Sequence, residues 1–140
     1  VGTGKRMKQE IREHSFPDET FQVGIDFDGV IHANSKGFYD GTVYDEPIPG
    51  AREALAKLSE RFVIIVYSAK ARKDRMLING QTGVDLIWEW LKKHDMDGFV
   101  KDVTAEKPRA VFYIDDKAVR FNGDWPETFQ NLQKFGYLDD

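Results

Sequence analysis

The chain has 140 residues, 41% of them hydrophobic, and no cysteine. That suits one packed domain and excludes disulfides and thiolate metal sites. A formal net charge of −4 argues against broad adhesion to nucleic acid or anionic membranes, though not against a local basic patch.

Residues 1–20 are polar, with a weak helical pattern from Lys5 to His14, and read as a polar N-terminal arm, native or not. No apolar segment lies behind this charged start, so a signal peptide is not expected, and the setting is expected to be cytoplasmic. Val1-Gly-Thr-Gly-Lys5 lacks the strand, the glycine spacing and the Ser or Thr of a phosphate-binding loop. Residues 21–140 are expected to form a single domain. Its first strand, Phe21–Phe27, runs into Asp26 and Asp28 and then Gly29. In the loop to Pro49, Phe38-Tyr-Asp-Gly-Thr-Val-Tyr44 carries a hairpin signal, an Asp-Gly turn between β-favouring residues. A helix follows Pro49-Gly50, with Ala51, Ala54, Leu55 and Leu58 on one face.

The second strand, Phe62–Tyr67, is continuously apolar, as in a sheet covered on both faces. At six residues it is also the longest apolar run, far too short to span a bilayer. It ends at Ser68, before a basic segment holding Lys70, Arg72, Lys73 and Arg75. A second helix spans Thr82–His94, with Val84, Ile87, Trp88 and Leu91 on one face. A short strand over Phe99–Val103, a fourth over Ala110–Asp115 and a last helix over Pro126–Phe135 complete the chain. Strands alternating with helices predict an α/β fold, three-layer and Rossmann-like, around a central parallel sheet. Ligands bind such sheets beyond the carboxyl ends of the strands. Three strands end there in polar groups: Asp26 with Asp28, Ser68, and Asp115 with Asp116.

If the first and fourth strands are neighbours, these four aspartates converge. Two unit charges ~4 Å apart repel by about 4 kcal/mol at an effective dielectric near 20, so the cluster calls for a cation. Oxygen donors without His or Cys favour a hard ion, Mg²⁺ first. Asp26, Asp28, Asp115 and Asp116 are the expected metal set. Taken singly, Asp28-Gly29 could be an ordinary turn, and Asp115-Asp116 an N-cap for a helix starting near Lys117.

Asp26-Phe-Asp28-Gly-Val, Ser68 at a strand end, Lys107, and Tyr-Ile-Asp115-Asp116 together resemble the four motifs of the haloacid dehalogenase (HAD) superfamily. They come in order and cover about residues 21–120. The resemblance implies a Mg²⁺-dependent phosphatase working through an aspartyl-phosphate. Asp26 would be the nucleophile and Asp28 the acid and base, its backbone carbonyl facing the metal. Ser68 would bind phosphate, and Lys107 would neutralise charge, with Lys70 or Lys101 as alternatives for that role. Asp115 and Asp116 would complete the metal shell. Asp28 at the second aspartate position favours phosphate esters over dehalogenation.

The spacings leave room for a hairpin flap but not a cap domain, so the chain resembles the small capless members. The expected substrate is a phosphorylated small molecule, a nucleotide or a polynucleotide end. Sugar phosphates, phosphoryl transfer to another acceptor, and a fold-retaining binding module are the alternatives. Candidate substrate-binding residues are Gly29, Ala69, Lys70, Arg72, Tyr39 and Tyr44. Phe38, Tyr39 and Tyr44 could stack on a base or simply pack the flap. His32 and His94 read as incidental, and Trp88 and Trp90 as core or helix surface.

Overall fold

In the computed structural model, residues 21–139 are described; the N-terminal arm lies outside them. Four short strands form one all-parallel sheet: β1 (Gln22–Asp26), β2 (Val63–Tyr67), β3 (Asp102–Thr104) and β4 (Tyr113–Ile114), in the order β3-β2-β1-β4. Among the described residues, three α-helices accompany them: α1 (Ala51–Ser59), α2 (Gly83–Lys93) and α3 (Trp125–Lys134). The two inner strands are the buried ones, whereas both residues of the edge strand β4 are exposed. Asp26 pairs in register with Tyr67, and Tyr67 with Thr104. The polar strand ends are therefore level along one edge.

Side chains alternate between sheet faces. Val23, Ile25, Ile64, Val66 and Val103 pack with Leu55 of α1 and with Ile87, Trp90 and Leu91 of α2 in one buried core. Right-handed crossovers that step the same way from β1 to β2 to β3 place both helices on that face. On the other face, the Tyr113 ring and Pro108 lie where a Cβ on Gly24 would stand. Helix α3 buries only Thr128 and leaves Trp125 and Phe129 open to solvent. Among the described residues, then, the expected helical layer is well packed on one face only.

Several expected boundaries move for local reasons. A capping box between Thr82 and Asp85 starts α2 one residue late, at Gly83. In α1, Ala51 and Leu55 are buried but Ala54 is exposed, so the apolar stripe is narrower than its spacing implied. A 3₁₀ turn takes up Asp97–Phe99, which delays β3 to Asp102, where Lys101 N–H donates to Ile64 O at 2.8 Å. The fourth strand shrinks to two residues, although Val111 N–H still donates to Gln22 O.

The hairpin flap does not form. Residues 38–44 are turns and bends without paired strands. Gly37, Tyr39 and Gly41 all have positive φ (66°, 52° and 82°), and Asp40 Oδ1 accepts the Thr42 N–H at 3.0 Å. These turns coil the chain upon itself, and Tyr44 Oη closes the coil by donating to Gly37 O and accepting from Lys36 N. The antiparallel pairing lies further out, at the loop base, where His32 bridges Pro47. No helix begins at Lys117; α3 is capped instead by the Asp124 carboxylate. No helix among the described residues is long and apolar enough to cross a membrane.

Candidate active site

The four sequence motifs meet at the carboxyl edge of the sheet, but they sort into two groups. Asp26, Asp115 and Asp116 form the first, each offering a carboxylate oxygen within 4.8 Å of the others. Asp26 ends β1, and Asp115 and Asp116 follow β4, its direct neighbour. Burial pushes the Asp26 carboxyl up to about 7, helped by a hydrogen bond with Asp116 and by the charges of Asp115, Asp116 and Asp28. Asp115 goes the other way. The Lys117 backbone N–H holds its carboxyl below the usual range against a smaller burial effect, aided by the Tyr67 hydroxyl and the Lys107 charge. Lys117 N donates to Asp115 Oδ1 and Tyr67 Oη to Oδ2, both at 2.8 Å. Burial and the Asp115 contact in turn push the Tyr67 hydroxyl up.

Gly29 makes room for this cluster. It has φ of 88°, and a Cβ there would stand 2.3 Å from Asp116 Oδ2. Only glycine meets both demands.

The second group surrounds Asp28, whose carboxylate is turned to different partners from those of Asp26. Oδ1 accepts from Lys70 Nζ and from His32 Nδ1, both at 2.9 Å, and Oδ2 accepts from Ser68 Oγ at 2.9 Å. Burial raises this carboxyl, but the three donors together outweigh burial and hold it below the usual range. Lys70 is fully buried. It sits in the 3₁₀ turn Ala69–Ala71, which Ser68 caps by accepting the Lys70 N–H at 3.1 Å.

Of the expected metal set, the structure brings three carboxylates together and commits the fourth, that of Asp28, to Lys70, His32 and Ser68. The three candidate lysines have different partners. Lys70 grips Asp28. Lys107 is exposed, with Nζ 4.6 Å from the Tyr113 ring centroid and 5.9 Å from that of Tyr67, and its charge reaches Asp115. Lys101 precedes β3, at the far end of that strand from the site. Tyr44 lies over the site, its ring centroid 5.6 Å from Lys70 Nζ, and Tyr39 packs edge-on against it at 5.6 Å. Ala69 and Arg72 are exposed on the following loop, and Arg72 pairs with Asp74. A cavity of about 940 Å³ opens between Ala71–Asp74 and Thr104–Glu106. Its walls are the residues just after Lys70 and just before Lys107. None of Asp26, Asp28, Asp115 and Asp116 lines it.

Two contributors go beyond the sequence reading: Tyr67, given no role there, and His32, read there as incidental but hydrogen-bonded to Asp28. Tyr67 could have been found from strand register, because it pairs with Asp26. His32 is fully buried beside Asp28; its signal is a polar residue closing the apolar stretch Val30-Ile31, four positions after Asp28.

No protein-family model matches this chain, and no curated protein or solved structure matches it. The donor set itself suits a hard divalent ion: three carboxylates with no nitrogen or sulfur donor among them.

Proposed function

We propose that this protein is a Mg²⁺-dependent phosphomonoester hydrolase of HAD type, working through an aspartyl-phosphate on Asp26. The observation that carries the reading is the split between two aspartates one residue apart. Asp26 lies with the carboxylates of Asp115 and Asp116, whereas Asp28 lies among the donors Lys70, His32 and Ser68. Carboxylates one residue apart that face different partners are free to take different roles, one as nucleophile and one as proton carrier.

Asp26, Asp115 and Asp116 would hold the cation. When bound, it supplies the positive charge that keeps these carboxylates ionised and offsets the phosphoryl oxygens. Asp26 attacks phosphorus, and the ester P–O bond breaks as the new bond forms. Asp28, ionised at rest among its three donors, relays the proton of the monoanionic ester to the leaving oxygen as the bond breaks; phosphate monoesters titrate near pH ~6. Water then attacks the phosphorus, Asp28 takes its proton, and Asp26 is released with free phosphate. Ser68 binds a phosphate oxygen. Lys70 and Lys107 flank the site with positive charge, as phosphoryl transfer requires.

The substrate class favoured is a nucleotide or a phosphorylated strand end. The loop beside Asp28 supports this, with Lys36 Nζ 4.8 Å from the Tyr39 ring centroid and Arg75 4.5 Å from that of Phe38. Aromatic faces and cations of this kind receive bases and phosphates. A sugar-phosphate hydrolase is the competing reading.

Hydrolysis of 4-nitrophenyl phosphate with Mg²⁺ and with EDTA is the primary test. Turnover should need the metal and should vanish in Asp26→Asn; full activity in that variant would sink the proposal. A panel of sugar phosphates, nucleotides and 3′- or 5′-phosphorylated oligonucleotides then ranks the substrates. Tight Mg²⁺ and phosphate binding with no turnover across the panel would favour a binding module instead.

A further inference from the structure

His32 has no exposed surface, and both of its ring nitrogens are engaged. Its Nε2 accepts the Asp45 backbone N–H at 3.0 Å. That nitrogen must therefore be bare, and Nδ1 carries the hydrogen that points to Asp28 Oδ1. Three rings clamp the imidazole: Phe27 stacks on it at 5.4 Å, and Trp90 and Tyr44 meet it edge-on at 5.5 and 5.2 Å. Asp45 is itself anchored. Its carbonyl accepts Trp90 Nε1 at 2.8 Å, and its carboxylate accepts the Ser35 and Glu46 N–H groups.

We infer that His32 is a positioning residue for Asp28, fixing which carboxylate oxygen handles the proton in the proposed hydrolysis. The inference rests on the hydrolase reading. Lys70 and His32 both donate to Oδ1, so a proton on Asp28 belongs on Oδ2. Among the described residues, that oxygen is hydrogen-bonded by the Ser68 hydroxyl, a group able to accept as well as donate. The arrangement follows the logic of an acid–base side chain oriented by a second group, which is held in turn by a third. Here the third group is the Asp45 peptide, so the position of the loop bearing Tyr44 is coupled to the orientation of Asp28.

The test compares two esters. In 4-nitrophenyl phosphate the phenolate leaves without a proton; in glycerol phosphate the alkoxide needs one. His32→Phe keeps an aromatic ring but has no nitrogen, whereas His32→Asn restores an amide donor at the Nδ1 position. H32F should lower the single-turnover rate of alcohol release, which precedes the step in which Asp28 serves as base, by about 100-fold or more for the glycerol ester, the scale of general acid catalysis. The same rate for the nitrophenyl ester should fall far less, and the substrate concentration giving half the maximal rate should change little for either. H32N should recover most of the ratio between the two. Equal loss on both esters, no loss, or no rescue by H32N would overturn the inference while leaving the hydrolase reading intact. A wild-type protein that hydrolyses neither ester would overturn both. Should H32F fail to fold, His32→Asn and His32→Gln decide the question, because Gln places its amide at the Nε2 position and should lose the ratio that Asn keeps.

Discussion

Lys70 is the buried residue with the most at stake. Its ammonium has 1% of its side chain exposed and rests 2.9 Å from an Asp28 carboxylate that is 21% exposed. Removing one member of such a pair leaves a charge without its main partner, at a cost of about 3–5 kcal/mol. Lys70→Met should therefore lower stability by about 3 kcal/mol in urea unfolding, and the double variant Lys70→Met with Asp28→Asn should regain much of it. Additive losses would contradict this coupling. Asp26 presents the opposite sign. Its folded pKa of about 7 lies above the unfolded value of about 3.9, so the folded state binds more protons between these limits. Its contribution is fully present below about pH 4 and is lost as pH rises through about 7. Asp28 and Asp115, with lowered pKa values, contribute stability above the carboxylate range that is lost on acidification, outside this window. A divalent cation relieves the repulsion around ionised Asp26. The rise in melting temperature on adding Mg²⁺ should thus be larger at pH 8 than at pH 5. An equal rise at both, or one that survives Asp115→Asn, would count against the cluster as the binding site.

Helix α2 and the 3₁₀ turn Ala69–Ala71 meet at Gly83, where an added Cβ would stand 1.6 Å from the Lys70 carbonyl oxygen. Neither backbone can yield cheaply at that distance. Gly83→Ala should destabilise the fold by about 1–3 kcal/mol, as overpacking does, and should shift Lys70 enough to reduce turnover. Wild-type stability and activity in that variant would refute the contact. This approach was not legible in the sequence, which showed only a glycine near a helix start. The helices themselves were legible, because the period of Val84, Ile87, Trp88 and Leu91 survives folding with Ile87 and Leu91 fully buried. The Asp40-Gly41 turn was legible as a turn but not as part of a coil. Its partners depend on the left-handed backbone of Tyr39 and on the Tyr44 hydroxyl reaching back to Gly37, and neither is a local propensity.

For the whole molecule, burial is lopsided. Leu91 has no exposed surface, whereas Phe129 of α3 is 51% exposed. Leu91→Ala should cost about 2–5 kcal/mol, and Phe129→Ala no more than about 0.5 kcal/mol; similar losses from the two would mean that α3 belongs to the core. Amino-acid sequence alone determined the parallel α/β plan and the convergence of Asp26, Ser68, Asp115 and Asp116 at one edge. It did so because apolar runs specify strands, and strand ends in such a sheet share an edge. Tertiary structure alone decided how the charges divide. Register sets Tyr67 beside Asp26, the turn after Ser68 drives Lys70 inward, and loop closure brings Asp45 onto His32. The first aspartate of the pair is thereby left among carboxylates and the second among donors. Such pairings join residues 42 positions apart in Lys70 with Asp28 and 48 in Tyr67 with Asp115, and no local pattern in the chain encodes them.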